Sequence, residues 1–486
     1  MHTSASPIDL EATAKAIMLQ YGFEPDFPAS VYTQLQKLTT APPVLSAGGN
    51  VRDLRPLLWS SIDNDNSRDL DQIEVADRLP DGRIKVLVGI ADVDAFVTRQ
   101  CPIDDHAARE TTTVYTGVRN FPMLPEQLST GQSSLLPDQD RMAIVIEFTV
   151  DAGGSLASSE IYRAVVRNRA QLHYNAVGSW LQGSGPAPAI VASSADLQAQ
   201  LRLQDEVAQK LRTQRQQHGA LNIDTDEVLP LVLNNQVVDI VKQPRNRATD
   251  LIEDFMVAAN EVVARFLDKI PSIRRIVRTP ERWDRIVQLA AAKATTLPSK
   301  PDSKALNDFL LKQRQSDPDH FPDLSLAVIK LMGPGEYVLE CPGDHSAGHF
   351  GLAVQDYTHS TAPNRRFADL VTQRLIKAVL AAEQSPYSQQ ELSEIANNCT
   401  VKENAARKVE REMAKRLAAV AMQHRVGEVF DAIVTGVTPH GTFVRVLQPH
   451  IEGLLVQAQG LDVGDKLRAQ LIRTDPAKGF IDFARA

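Results

Sequence analysis

The chain has 486 residues, room for about two to four domains, and its 43% apolar and 23% charged content is that of an ordinary water-soluble protein. The formal net charge of −8 advertises no overall attraction to nucleic acid, although a basic channel can lie inside an acidic shell. Cys101, Cys341 and Cys399 are too scattered for a metal-ligand spacing or a disulfide framework, Met1 to Leu10 lacks the basic-then-apolar order of a signal peptide, and no apolar run approaches the ~20 residues that cross a bilayer, so a reducing cytoplasm and no membrane are expected.

Residues 8–19 place Ile8, Leu10, Ala14, Ile17 and Met18 at helical spacing, and a second amphipathic segment runs from Ser30 to Leu38. Such a pair serves either as packing or as a helix-turn-helix that touches nucleic acid. A loop from Thr40 to Asn50 follows. The next run, Ser61-Ile62-Asp63-Asn64-Asp65-Asn66-Ser67-Arg68-Asp69-Leu70-Asp71, crowds aspartates just before an apolar strand. Aspartates repel one another, and a hard divalent cation offsets that repulsion with the oxygen ligands it prefers. The alternative on spacing alone is an Asp/Asn/Ser turn whose side chains cap backbone groups.

Strands are expected at Gln72 to Ala76, Ile84 to Val97, Met142 to Val150 and Ser159 to Asn168, with a surface loop at Gly183 to Pro188. The pattern then turns helical, over Ala195 to Gln217, Asp250 to Leu267, Asp284 to Lys293 and Ala305 to Gln315, with Leu297 to Ser303 as a breaker. Further helices are expected over Ala368 to Ala382 and Lys402 to His424. The last carries Ala406, Val409, Met413 and Leu417 on one face and dense Lys and Arg on the other. From Val426, five short alternating strands in about 60 residues suit a small closed barrel of the OB type.

Several blocks stand in an order that resembles the RNase II superfamily of hydrolytic 3′-to-5′ exoribonucleases. Ile62 to Asp71 looks like its catalytic signature, led by Arg52-Asp53-Leu54-Arg55. Val88 to Val93, Pro122 to Ser129, Ser134-Leu135 with Arg141, Gly219 to Leu221, Ile252 to Met256 with Ala259-Asn260, and His349 to Leu352 continue it. Tyr357 to Leu370, with His359 and Arg365-Arg366, resembles its second signature. The blocks cover about residues 50–385, and the C-terminal barrel resembles the S1 type of RNA-binding OB-fold.

The resemblance implies an α+β fold. A helical N-terminal element would occupy residues 1–48, a mixed catalytic domain with an internal RNA channel residues 49–400, a connecting helix residues 401–425, and the all-β barrel residues 426–486. It implies Asp63, Asp69 and Asp71 as metal-binding and catalytic carboxylates for Mg2+, or alternatively Mn2+. Where the family carries a fourth aspartate this chain has Gln72, whose carbonyl can coordinate a cation but brings no charge. Arg365 would grip the scissile phosphate. Arg366 would contact phosphate or form a structural ion pair, His359 would be structural, and Asp369 would orient the arginines. Tyr115 and Tyr174 would stack on the last nucleotides. Glu253 or Asp254 would accept hydrogen bonds from the terminal ribose. In the barrel Phe430, Phe443 and Lys466 are candidate RNA contacts, with Phe443 equally suited to the barrel core.

The expected activity is processive release of nucleoside 5′-monophosphates from single-stranded RNA 3′ ends by a monomer. The N-terminus departs from the family in lacking the two cold-shock domains, so entry into structured RNA with a short 3′ overhang is also expected. Two rivals remain: an RNA-binding protein that is catalytically weak or inactive, favoured by Gln72, and a DNA exonuclease.

Overall fold

The computed structural model of the protein describes residues 8–40, 49–223, 227–233, 236–243, 245–318, 320–344, 347–439, 441–456 and 458–486. Most of the loop expected between Thr40 and Asn50 lies outside them. The chain opens on α1 (Leu10–Gln20) and α2 (Ala29–Thr40), then β1 (Val51–Asp53), β2 (Trp59–Asp63), β3 (Gln72–Arg78) and β4 (Ile84–Ala91). There follow α3 (Pro102–Glu110), the short pair β5 (Val114–Tyr115) and β6 (Asn120–Phe121), and the long hairpin β7 (Asp140–Val150) and β8 (Leu156–His173). Next come α4 (Tyr174–Leu181), α5 (Ala189–Ala192), α6 (Ala195–Gln217), the hairpin β9 (Glu227–Leu233) and β10 (Gln236–Gln243), and α7 (Arg247–Phe266). Strand β11 (Ser272–Ile276) leads to α8 (Trp283–Ala292), α9 (Ser303–Ser316) and α10 (Phe321–Met332), and then to its partner β12 (Glu336–Glu340). Helices α11 (Phe367–Leu380) and α12 (Gln389–Met422) precede β13 (Val429–Thr438), β14 (Gly441–Val446), β15 (Ile451–Val456), β16 (Lys466–Asp475) and β17 (Phe480–Arg485).

The central sheet runs β1-β8-β2-β3-β4-β7, and β7 also pairs with β8, so the ladder of pairings returns to that long strand. Its interior is apolar: Trp59, Ile62, Ile73, Val86, Val88, Ile144 and Ile146 are all buried. Strand β4 ends at Ala91, short of the expected Val97, because Asp92 accepts a hydrogen bond from the Ala95 N–H and turns the chain into a short 3-10 segment. Beyond its single register pair with β2, β3 is edged by α6. Gln200 accepts from the Ala76 N–H, and the Gln204 amide donates to the Glu74 carbonyl, so two glutamines one helical turn apart stand in for a strand.

Helix α12 spans 34 residues and begins at a capping box, Ser388 with Glu391. The connecting helix expected over 401–425 is therefore the C-terminal part of a longer one, and residue 400 lies in its interior. One stretch of α12 buries Ala406, Val409 and Met413 against Ala14, Ile17, Met18 and Phe23. Its end puts Ala419 and Met422 into the core of the barrel. The N-terminal pair is thus packing: α1 covers α12, and α2 lies on α3, where Gln34 accepts from the Ile103 N–H. The barrel closes in the order β13-β14-β15-β17-β16, as its alternating sequence predicts. An Arg445–Asp323 ion pair at 2.8 Å also ties it to α10, a helix that the sequence reading did not anticipate.

Ile17 is buried in the contact between α1 and α12. Ile17→Ala is expected to destabilise the protein by about 2–5 kcal/mol, read as a lower midpoint in urea with an unchanged slope. An unchanged midpoint would show that α1 does not support the helix beneath it.

Candidate active site

Strand β2 ends and its antiparallel neighbour β3 begins at one end of the sheet, and the loop between them carries the aspartates. Backbone and hydroxyl groups fix that loop. The Ser134 hydroxyl accepts from the Leu70 N–H and donates to the Arg68 carbonyl, the Leu135 N–H donates to the Leu70 carbonyl, and the Ala91 N–H donates to the Asp71 carbonyl. Asp71 is held from the other side of the domain. Its Oδ1 accepts the Asn364 backbone N–H at 3.1 Å and its Oδ2 lies 3.3 Å from Arg365 Nε. The two signatures of the sequence therefore meet at one carboxylate.

The segment that delivers Arg365 is itself anchored. The Thr113 N–H donates to the Arg365 carbonyl and the Phe367 N–H to the Thr111 carbonyl, while Asn260 of α7 accepts from both the backbone N–H and the hydroxyl of Ser360. This places Tyr115, on β5, within the field of the Arg365 guanidinium. Burial pushes the Tyr115 hydroxyl up to about 12, which keeps it neutral.

The electrostatics are those of crowded, desolvated acids. Burial pushes Asp63 up to about 7; Arg365 pulls it back and Asp69 adds to the rise. The same three influences, in the same order, bring Asp71 to about 7. Burial also raises Asp69. The Gln72 side chain turns its amide toward Asp63, with Nε2 3.2 Å from Oδ2, so it is a hydrogen-bond donor to the cluster. Glu74, two residues on, is fully buried, and burial followed by repulsion from Asp63 raises its carboxyl well above the usual range. Tyr174, at the start of α4, lies within the field of Asp63 and Glu74.

A hard divalent cation suits this donor set. Asp71 is buried, Asp63 and Asp69 are half-buried, and all three lie within the field of the one Arg365 guanidinium, so added positive charge would relieve both desolvation and repulsion. The fit is one of donor chemistry and charge: among the described residues no three carboxylate, imidazole or thiol groups are gathered at ligand spacing.

The structure thus brings together Asp63, Asp69, Asp71, Gln72, Tyr115, Tyr174 and Arg365. Other candidates stand elsewhere or are engaged. Arg366 forms a two-pronged ion pair with the buried Asp369, 2.9 Å from Nε and 2.7 Å from Nη2, so of its two expected roles it fills the structural one. Asp369 accordingly orients Arg366. Asp254 is gripped by Arg212 and Arg215, and it lines a surface cavity with Glu261 and Arg265; Glu253 pairs with Arg245. Burial outweighs the arginines and leaves the Asp254 carboxyl at about 6. His359 meets the Tyr337 hydroxyl at 2.8 Å, and burial holds it well below its ordinary range, which fits a structural histidine. In the barrel Phe443 is half-buried. Phe430, expected as an RNA contact, is instead core: its ring lies 6.4 Å from that of Phe483, with Arg425 over its face.

Sequence reading passed over two groups. Asn364 acts through its backbone N–H, which no side-chain motif reports. Glu74 is a charge inside an apolar strand, an anomaly visible in the sequence.

Comparison with known proteins places the chain in a family. Ribonuclease R of Thermotoga maritima is 31% identical over 469 residues, which is 89% of this chain and 64% of that protein. Ribonuclease R of Escherichia coli is 32% identical over 90% of this chain and 54% of that protein. The chain therefore spans less than two thirds of the length of these relatives. In fold it is similar to Mycoplasma genitalium RNase R solved in complex with ribose-methylated single-stranded RNA, with a TM-score of 0.87, 24% identity, and coverage of 98% of this chain and 78% of that one. Residues 51–382 match the RNB domain and residues 428–486 the RNase II-type exonuclease C-terminal S1 domain, and the chain belongs to the RNB-domain family.

Proposed function

We propose that this chain is a metal-dependent 3′-to-5′ exoribonuclease that releases nucleoside 5′-monophosphates from single-stranded RNA. The observation that carries the reading is Asp71 held between the Asn364 N–H and the Arg365 guanidinium, with Asp63 and Asp69 beside it. Carboxylates and an arginine converging at one site are what phosphodiester hydrolysis requires. Asp63, Asp69 and Asp71 would hold divalent cation, with Mg2+ preferred and Mn2+ an alternative. Bound there, it would neutralise the phosphate and lower the pKa of a water.

The rest of the work falls to the chain itself. Arg365 binds the scissile phosphate and meets charge as it builds on the non-bridging oxygens. Tyr115, within the field of Arg365, and Tyr174 offer rings on which the terminal bases stack regardless of sequence. The S1-type barrel holds upstream RNA, Phe443 being its candidate contact, and an internal channel between barrel and site belongs to the same proposal. Glu253 would serve as the ribose contact in preference to Asp254, whose two arginines occupy it. The RNase R of Mycoplasma genitalium has been solved with double-stranded as well as single-stranded RNA, which supports a substrate range that includes structured RNA. Three free cysteines suit a cytoplasmic setting. Among the described residues, no helix is long and apolar enough to cross a membrane.

Gln72 favours a second reading, an RNA-binding protein on the same fold without turnover, because it donates to Asp63 instead of adding a charge. A time course on 5′-labelled single-stranded RNA decides. Shortening to a small end product in Mg2+ or Mn2+, abolished by EDTA, is expected. Asp71→Asn and Arg365→Ala should each slow it at least about 100-fold. Tight binding without cleavage in either metal selects the second reading.

Metal removal has its own signature. Asp63 and Asp71 rise from 3.8 to about 7 on folding. The folded state therefore holds protons that the unfolded chain has released, and it loses stability as pH climbs from about 4 to about 7. In EDTA the melting temperature is expected to fall across that window, and Asp63→Asn should flatten the fall. Added Mg2+ should stabilise the protein more at pH 8 than at pH 5. A pH-independent melting temperature in EDTA contradicts the burial of these acids.

A further inference from the structure

The acidic site lacks one charge at Gln72, and the same strand carries another acid two residues further on. Side chains alternate along β3, so Gln72 and Glu74 project from one face, about 7 Å apart along the strand. Glu74 is 0% exposed, and neither of its carboxyl oxygens has a hydrogen-bond partner. Burying a carboxyl without partners is costly, and such groups are rare in folded proteins. The charged side chain whose field reaches it is Asp63.

The surroundings of Glu74 repeat the pattern. Ser60 lies directly opposite it on β2, and paired residues in an antiparallel ladder share a face. The Ser60 Oγ is buried and unpartnered as well. So is the Oε1 of Gln204, whose amide nitrogen reaches the Glu74 backbone carbonyl at 3.4 Å. Glu74, Ser60 and Gln204 thus supply four buried oxygens without a hydrogen-bond partner. An arginine or lysine would be the usual remedy; none pairs with Glu74 among the described ion pairs. Oxygen donors of mixed type, with one or two carboxylates, are the ligand set of a hard divalent cation.

We propose that Glu74 is the fourth carboxylate of this acidic site, displaced two residues from the position that Gln72 occupies, and that Glu74 and Asp63 share a divalent cation. Ser60 and Gln204 complete its oxygen environment. The Gln72 amide then has a role of its own, holding Asp63 by hydrogen bond where an aspartate would have repelled it. The inference rests on the metal-dependent reading above and names the residues that hold the ion in this chain.

Direct Mn2+ binding to the full chain, by calorimetry and by the loss of the free-ion electron paramagnetic resonance signal, tests it without reference to turnover. Glu74→Gln keeps the shape and removes the charge. Glu74→Leu fills the same space with apolar atoms, in case the amide does not fold. Circular dichroism and thermal melts establish folding. Each folded variant is expected to bind Mn2+ at least about tenfold more weakly than the parent. Gln72→Asp added to Glu74→Gln should recover most of that loss, because it returns a carboxylate to the same strand face. Unchanged Mn2+ affinity in either folded variant overturns the proposal and leaves Glu74 a neutral buried acid. Failure of the parent protein to bind Mn2+ at all overturns the metal-dependent reading together with it.

Discussion

Asp71 makes the contact on which this architecture turns. One of its oxygens accepts the Asn364 backbone N–H and the other faces the Arg365 guanidinium, across 293 and 294 positions of sequence. A buried carboxylate needs such partners, and here they come only from a segment that has crossed the whole domain. The β2–β3 loop has to be held by Ser134 and Leu135, and the Arg365 segment by Thr111, Thr113 and Asn260, for the two to meet.

The helix α12 does the corresponding work for the outer parts of the molecule. Its apolar stripe takes α1 along one stretch and the barrel at its end. Ahead of both, Glu403 of the same helix pairs with the buried Arg275 of β11 at 2.6 Å. A helix of this length that is gripped on several sides acts as a strut, since each packed face removes a direction in which it could bend. The Arg445–Asp323 pair gives the barrel a second attachment, so its position relative to the catalytic domain does not rest on α12 alone.

Charge is distributed unevenly in a way that the net value of −8 hides. Acids away from the site are matched: Asp254 has Arg212 and Arg215, Asp369 has Arg366, and Asp94 has Arg374 and Lys377. At the end of β2 and β3 the balance fails, with Asp63, Asp69, Asp71 and Glu74 set against Arg365. Uncompensated burial of this kind is unfavourable for folding and is typical of places where a protein binds something. Gln72 meets that imbalance with an amide hydrogen bond to Asp63.

Much of the architecture was legible in the sequence. Alternation marked the barrel strands, helical spacing marked α1, α6, α7 and α12, and ordered motifs named Asp63, Asp69, Asp71 and Arg365, because local periodicity and residue type are properties of the chain itself. Boundaries set by caps were harder to place: β4 stops at the Asp92 turn, and α12 starts at Ser388, well before its charged stretch begins. Chain order left Arg366 open between a phosphate contact and a structural ion pair. Packing turned Arg366 onto Asp369 and left Arg365 for Asp71. Nor could chain order say that Phe430 is core, that Asp254 is held by arginines, or that Glu74 lies buried beside Asp63. The sequence by itself determined most of the elements and the candidate residues for the chemistry. Tertiary structure alone decided which of those residues share a site, because partnership and burial depend on segments hundreds of positions apart arriving at the same place.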